Sequence, residues 1–463
     1  MRRPALISSL LVLACTREPD NAPPPAPPEP TAQVEPSEAE PEKPTTFTAP
    51  VPNEAADAAH AFVQQRVLGR PLEAHPLVRF TPIEDPGGEA LRRFHEALRR
   101  LDAGEQAKVR VAVYGSSSVA ADRYTAYLRG YLQHRFGDGG VGFVALVPLW
   151  RWHRHNEVTV SASSTWTIEH AQKEKTGRLD GHYGLLGASA HTSSKRAHAL
   201  VRPASRGAFT DVAASELVEL LHLAQPGGGR YRIKVGRTQV GEVSTRGKTH
   251  EAAYVRPQWT GAPLPLRIEP VGDGEVRLFG AIFEREQPGV VVDTLGIGGT
   301  RATNLVGWTE AIWADNLRKR APDLYVLAYG ANEAGDDDEE HPIATYRDEL
   351  SAVLDRFARV LPNASCVLVG PQDFPVRTED ETYVRRPRMD AVVQVQREVA
   401  AHKGCGYFET RTMMGGPDQM TAWVAADPPL AKADHLHFTT LGYVHMGRVL
   451  ADALMAGYDA ELP

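Results

Sequence analysis

Cysteine is scarce in this chain, and long apolar runs are absent. Only three cysteines occur in 463 residues, Cys15, Cys366 and Cys405, which excludes a small scaffold held together by a disulfide framework. No stretch of about eighteen apolar residues occurs, so no spanning helix is expected. Charge is balanced as well. A net charge of −7 gives no long-range attraction to nucleic acid, and nucleic acid is not an expected partner. The histidines show no pairing with cysteines or carboxylates at zinc-ligand spacing, and no phosphate-binding loop is evident. No metal is expected. What remains is ordinary globular composition, 42% hydrophobic and 24% charged, in a chain long enough for two folded domains.

The first residues read as an export signal. Arg2 and Arg3 precede an apolar stretch from Ala5 to Ala14 that stops at Cys15. Val12-Leu13-Ala14-Cys15 also resembles a bacterial lipobox, in which Cys15 would become the lipidated first residue. A lipidated Cys15 would make a membrane surface, expected to be the outer membrane of a cell envelope, the partner of an exported protein. The signal is assigned to residues 1–15, and the Pro-, Glu- and Ala-rich stretch 16–55 is expected to form an extended tether.

The rest divides by the period of its apolar residues. Leu91, Phe94, Leu98 and Leu101 recur at helical spacing within a segment, roughly 56–105, read as helical. Val109–Tyr114 is an apolar strand running into Gly115-Ser116-Ser117-Ser118 and a helix with Tyr124, Tyr127, Leu128, Tyr131 and Leu132 on one face. Strand, tight turn and helix open a parallel α/β domain. Between about 146 and 288 the rhythm changes to short alternating segments such as Tyr231–Val235, Leu266–Ile268 and Val276–Phe279, separated by Gly-rich turns. That pattern predicts an antiparallel β-sandwich. Strands at Val290–Val292, Leu324–Tyr329, Cys366–Val369 and Tyr407–Phe408 then alternate with helices, including one bearing Tyr346, Leu350, Val353, Leu354 and Phe357, one from Met389 to Ala401 and a last one from Leu441 to Ala456. An α/β domain over 56–145 and 289–463, interrupted by a β module over 146–288, is the expected architecture. Cys366 and Cys405 each begin a strand. If those strands are parallel neighbours, the two cysteines meet at one sheet end and can pair; otherwise they are buried thiols.

Four loops carry chemistry-bearing residues at the carboxyl ends of strands, where open α/β sheets place their sites. They are Gly115-Ser116-Ser117-Ser118, Leu295-Gly296-Ile297-Gly298-Gly299-Thr300, Tyr329-Gly330-Ala331-Asn332-Glu333 and Asp434-His435-Leu436-His437-Phe438-Thr439. In this order they resemble the motif blocks of the SGNH (GDSL-like) hydrolases, over about residues 105–140 and 289–460. The resemblance implies a three-layer, flavodoxin-like parallel-sheet domain and a serine esterase needing no cofactor. It implies Ser117 as nucleophile, His437 as general base and Asp434 as its partner, with Ser116 and Ser118 the weaker candidates for attack. The Ser117 N–H, the Gly299 N–H (or that of its neighbour Gly298) and the Asn332 amide would form the oxyanion hole. His435 is a decoy expected to point elsewhere.

Two departures stand out. Ser116 occupies the place of the family's Asp, and Glu333 follows the Gly-x-Asn block where Asp is usual. A β module within such a domain on an envelope protein is similar to peptidoglycan O-acetylesterases. This implies an ester-bearing polysaccharide as substrate, with a non-catalytic glycan-binding lipoprotein or a lipase or acyltransferase of the same superfamily as alternatives.

Other features receive plainer expectations. His153 and His155 are read as a polar strand edge. Asp336–Glu340 is read as a solvated loop and not a calcium site, and Gly137–Gly140 as a turn that could shape the cleft. Trp423 and Met413-Met414-Gly415-Gly416 could either line the cleft or pack.

Overall fold

A computed structural model describes residues 46–461 except 151–152, 173–176 and 206. Cys15, the signal and the tether as far as residue 45 lie outside the described residues.

Five strands form one parallel sheet: β1 (Lys108–Gly115), β2 (Gly289–Gly296), β3 (Leu324–Ala328), β4 (Ser365–Val369) and β5 (Gly406–Phe408). Their spatial order is β2-β1-β3-β4-β5, the flavodoxin-like order. Alternate residues of each strand serve two cores, as a period of two requires. Val109, Val111, Val113, Val292 and Val326 meet α1 (Glu54–Leu68), α2 (Arg92–Asp102), α4 (Tyr124–Phe136) and α8 (Thr440–Ala460) on one face. Ala112, Tyr114, Leu295, Tyr325 and Leu327 meet α5 (Glu310–Arg320), α6 (Ile343–Val360) and α7 (Met389–His402) on the other. Between β1 and α4 lies the single turn α3 (Ser117–Ala120).

Two helices stand where one helical region, roughly 56–105, is expected. α1 starts at Glu54, capped by the Asn53 side chain, and ends at Gly69 in the left-handed conformation. Residues 69–91 are mostly irregular, and α2 follows.

The antiparallel region contains a six-stranded and a five-stranded sheet. Leu220, Val276, Leu278 and Ala281 of the first and Val201, Tyr231, Ile233 and Ile268 of the second share one core. Leu221, Leu223 and Phe279, also on the six-stranded sheet, pack with Trp308 and Trp313 of the α/β part. Its pairing begins before residue 146, because Gly142–Val144 already pairs with Ala281–Phe283.

Two buried guanidinium groups fasten this region to the parallel sheet. Arg129, fully buried on α4, donates to Val292 O at 3.1 Å, Thr294 Oγ1 at 2.8 Å, Asp122 Oδ1 at 3.2 Å and Glu157 Oε1 at 3.2 Å. Glu157 Oε2 accepts from the backbone N–H groups of Phe209 and Thr210. Burial pushes Asp122 up, but Arg129, His155, the Asn156 N–H and Thr294 outweigh it and hold the carboxyl far below the usual range. The second centre is Arg320 at the end of α5, which donates to Asp293 on β2 at 2.5 Å and to Glu284 at the end of an antiparallel strand. Arg110 on β1 completes it, 2.9 Å from Glu284. Burial favours protonation of Glu284, yet Arg320 and Arg110 prevail and bring it down to about 2.

Val367 pairs with Gly406 in register, which brings Cys366 beside Cys405. Their Cα atoms are 4.9 Å apart and the side chains form a disulfide.

Three outcomes are expected. Arg129→Met leaves Asp122 and Glu157 buried without their cation and costs about 3–5 kcal/mol in urea unfolding. Glu284 ionises at lower pH in the folded chain than in the unfolded one. Its contribution, roughly 3 kcal/mol, is therefore complete above about pH 4.5 and is lost as pH falls toward 2. The acid limb of a stability-versus-pH curve should be shallower in Glu284→Gln. Thiol titration of denatured, unreduced protein lacking residues 1–15 should find no free thiol before reduction.

Candidate active site

Each functional side chain stands on a loop at the carboxyl rim of the parallel sheet. Ser117 begins α3 directly after β1, so its N–H belongs to a first helical turn, where amides have no intrahelical acceptor. Gly115 just before it has an ordinary backbone, and its role is space. A Cβ there would lie 2.3 Å from Val119 Cγ2 and 2.6 Å from Ala328 O. Only a residue without a side chain lets α3 turn back this tightly onto β1 and β3.

Ser117 Oγ lies 2.8 Å from His437 Nε2, and His437 Nδ1 lies 2.9 Å from Asp434 Oδ2. The other carboxylate oxygen of Asp434 accepts the N–H groups of Leu436 at 3.0 Å and His437 at 2.9 Å. Burial raises the Asp434 carboxyl, but these N–H groups and the His437 ring more than offset it and keep it below its ordinary value. The loop is itself anchored: Lys432 N–H donates to His437 O at 2.8 Å, and Ala431 bridges Phe438. His435 is in the left-handed conformation (φ 53°) and turns away to stack on Tyr383, ring centroids 3.6 Å apart. Of the three serines, Ser117 meets the imidazole.

The loops after β2 and β3 are tied together by Glu333. Its Oε1 accepts the Ala302 N–H at 2.8 Å and its Oε2 the Gly330 N–H at 2.9 Å. Burial pushes this carboxyl up, against the pull of its N–H donors. Asn332 gives one amide hydrogen to Thr300 O at 2.8 Å, which leaves the second free of that bond. Gly299 has φ +79°, and a Cβ there would lie 2.4 Å from the Gln172 side chain, which comes from the antiparallel region. Gly298, its neighbour, lines the cleft.

That cleft, about 500 Å³, is bounded by Ser117, His437, Trp150, Arg123, Arg154 and Lys432 among others. The last four, with Gln172, were missed in the sequence: isolated basic and aromatic residues in loops carry no spacing signal.

Packing decides the plainer expectations, of which the strand edge at His153 and His155 is corrected. Trp423, Met413 and Met414 are fully buried core residues, and the Trp423 indole donates to Met414 O, so they do not line the cleft. His153 and His155 precede the strand Val158–Ala162 and do not form its edge. His155 packs 3.8 Å from Asp122. Burial lowers both histidines to about 4. Gly137–Gly140 packs on Gly289 and Val290 at the start of β2, at the opposite end of the sheet from Ser117. Within Asp336–Glu340, Asp336 pairs with Arg301 and Asp338 with Arg388, while residues 337–340 are exposed. The hairpin of Val376–Arg377 with Tyr383–Val384 was not expected.

The GDSL-like Lipase/Acylhydrolase family matches residues 261–444. A solved peptidoglycan O-acetylesterase superposes with a TM-score of 0.67 at 24% identity, covering 82% of this chain and 99% of that one. Over residues 261–444, less than half of the chain, the sequence thus resembles the GDSL-like hydrolases, and the superposition shows that the fold is shared. A family two carbohydrate esterase from Cellvibrio japonicus (TM-score 0.25, 12% identity, 65% of this chain and 99% of that one) gives a match too distant to carry weight. So does an acetyl xylan esterase (TM-score 0.26, 18% identity, 36% of this chain and 80% of that one). No curated protein sequence matches the chain. The chemistry available at this rim suits carboxylic ester hydrolysis: a hydroxyl, an imidazole and a carboxylate stand in series.

Because Glu333 fixes the spacing of the loops after β2 and β3, Glu333→Ala should lower kcat on p-nitrophenyl acetate by about 100-fold, the scale of a 1 Å misplacement. A fluorophosphonate should still label Ser117 in the variant.

Proposed function

We propose that this chain is an SGNH-type hydrolase that removes O-acyl groups, by preference O-acetyl, from an envelope polysaccharide such as peptidoglycan, through an acyl-Ser117 intermediate. The reading rests on one observation above all, the Ser117–His437–Asp434 hydrogen-bond series at the carboxyl rim of the sheet.

Ser117 Oγ attacks the acyl carbon while its proton passes to His437 Nε2. Asp434 holds the Nδ1–H tautomer and stabilises the imidazolium. The oxyanion of the tetrahedral intermediate is received by the Ser117 N–H, the Gly299 N–H and the Asn332 amide. The intermediate collapses, the sugar oxygen leaves with the proton from His437, and the acyl group stays on Ser117. A water deprotonated by His437 then adds to the acyl carbon, releasing the carboxylic acid and restoring the hydroxyl.

The substrate class is supported by the peptidoglycan O-acetylesterase likeness, which extends over most of the chain. The two antiparallel sheets would act as an inserted β-sandwich domain over 146–288 that carries one wall of the cleft. Export and anchoring through a lipid on Cys15 would place the enzyme at the polymer. Metabolic labelling with a tagged fatty acid should mark the wild type and not Cys15→Ala.

The competing non-catalytic reading draws on Ser116, which replaces the family's Asp beside the nucleophile. Turnover of p-nitrophenyl acetate by protein lacking its leader separates the two. Ser117→Ala should lose at least about 1000-fold, and Asn332→Ala about 100- to 1000-fold in kcat. Equal turnover by wild type and Ser117→Ala would remove the enzyme reading. Acetate release should be faster from O-acetylated peptidoglycan than from acetylated xylan or a lipid ester. Preference for the lipid would remove the polysaccharide.

A further inference from the structure

The cleft beside Ser117 carries a charge that the proposed chemistry does not use. Arg123, Arg154 and Lys432 line it together, and the only carboxylate of the reacting series, Asp434, is engaged by His437 and two N–H groups. None of the three cations forms an ion pair among the described residues, although the chain as a whole is acidic and most of its other arginines have carboxylate partners. They come from three separate places. Arg123 follows Asp122 at the start of α4, Arg154 lies in the loop that leads into the antiparallel region, and Lys432 sits on the loop of the base. Arg123 is partly buried, which disfavours its charge, and Arg154 is close enough to disfavour it further; the neighbouring Asp122 offsets this only in part, its oxygens being engaged by Arg129, Thr294 and the Asn156 N–H. Such an arrangement is stabilised by an anion that arrives with a ligand.

The groove also continues past these cations. Arg123 and Arg154 are shared with an adjoining pocket of about 360 Å³, walled by His153, Asn156, the edge strand Val158–Ala162 of the five-stranded sheet and Asp122, whose carboxylate is already engaged by Arg129. His153 Nδ1 is buried there without a hydrogen-bond partner. Trp150, edge-on to His153 at 5.1 Å, forms part of the wall next to Ser117. A polymer lying across the site would thus pass from Ser117 over two guanidinium groups into a polar channel.

We propose that Arg123, Arg154 and Lys432 form an anion-recognition subsite, so that the ester cleaved at Ser117 sits on a glycan whose neighbouring unit carries a carboxylate. This rests on the esterase reading and narrows it: the substrate is an acidic O-acylated glycan, and neutral acetylated polymers lack the group these residues hold. Arg123 and Arg154 discriminate by charge and take no part in proton transfer.

The test uses two polymer pairs: O-acetylated peptidoglycan and O-acetylated polygalacturonate, each as such and after its carboxylates are converted to amides. Acetate release by wild type should fall about tenfold or more in kcat/KM on amidation of at least one polymer, and added salt should weaken that preference. In Arg123→Gln/Arg154→Gln the ratio of native to amidated substrate should collapse toward one, while Arg123→Lys/Arg154→Lys retains much of it. A merely structural role would lower both rates and leave the ratio intact. Co-sedimentation of Ser117→Ala protein with the same four polymers reads the subsite without catalysis, so loss of the esterase reading would not hide the result. Indifference of wild-type rates and of Ser117→Ala binding to amidation of both polymers overturns the proposal. So does a full preference surviving in the glutamine double variant.

Discussion

The buried guanidinium of Arg129 decides how the two halves of this molecule sit. It leaves water entirely and replaces hydration with donations to β2, to Asp122 at the end of the nucleophile turn, and to Glu157 at the entrance of the antiparallel region. Burying one cation with two carboxylates is not a strong source of net stability, since desolvation offsets most of the attraction. Its consequence is geometric. Each oxygen of the two carboxylates accepts at least one hydrogen bond, so displacing any member would strand a charge in the interior. Arg320 repeats the arrangement at the other junction, with Asp293 and Glu284. The antiparallel region is therefore fixed at both of its connections, and it contributes Trp150 and Arg154 to the cleft.

That fixation matters because the site is assembled from loops that follow different strands. The flavodoxin-like order puts β2 and β3 on either side of β1, so the loops after them flank Ser117. Glu333 then sets the separation between those two loops with one carboxylate. Where the family carries Asp after the Gly-x-Asn block, the longer Glu side chain here reaches both Ala302 and Gly330. At the first block the family's Asp is replaced by Ser116, whose backbone carries the local structure: its N–H donates to Ala328 O and its C=O accepts from Ala120.

Legibility in the sequence followed the range of the forces involved. The strands of the parallel sheet were visible because each is buried on both faces and reads as a continuous apolar run, and three of the four loops stood out because each follows such a run; the fourth, Asp434–Thr439, follows no strand, contrary to expectation, and lies between the short helix Met420–Ala425 and α8. The cysteine pair could be stated only conditionally, since it depended on β4 and β5 being neighbours, and the Val367–Gly406 register supplied that condition. Trp423 was ambiguous because an aromatic residue before a polar block looks the same whether it faces a cleft or a core; contact with Phe438, 4.7 Å between centroids, decided it. His155 does not read as a buried residue because the carboxylate it packs against, Asp122, is more than thirty residues earlier, while His153 packs on Trp150 in the loop before the strand. The same distance hid Arg123 and Arg154, whose significance is their shared wall and the absence of an ion pair to either among the described residues, since the nearby Asp122 carboxylate is taken by Arg129, Thr294 and the Asn156 N–H.

The three-residue hydrogen-bond series itself joins two kinds of contact with different dependences. Asp434 and His437 are three residues apart, and the carboxylate accepts both the ring and the backbone of the residue it orients, so their geometry is set within one short loop. Ser117 and His437 are 320 residues apart, and their 2.8 Å contact exists only while α3 and the 430–439 loop are both seated on the sheet. Perturbation of the scaffold therefore breaks the contact to the nucleophile before it disturbs the contact to the acid. Because Asp122 closes α3 and is gripped by Arg129, the burial of one arginine on the far side of that turn controls whether the hydroxyl reaches the imidazole at all.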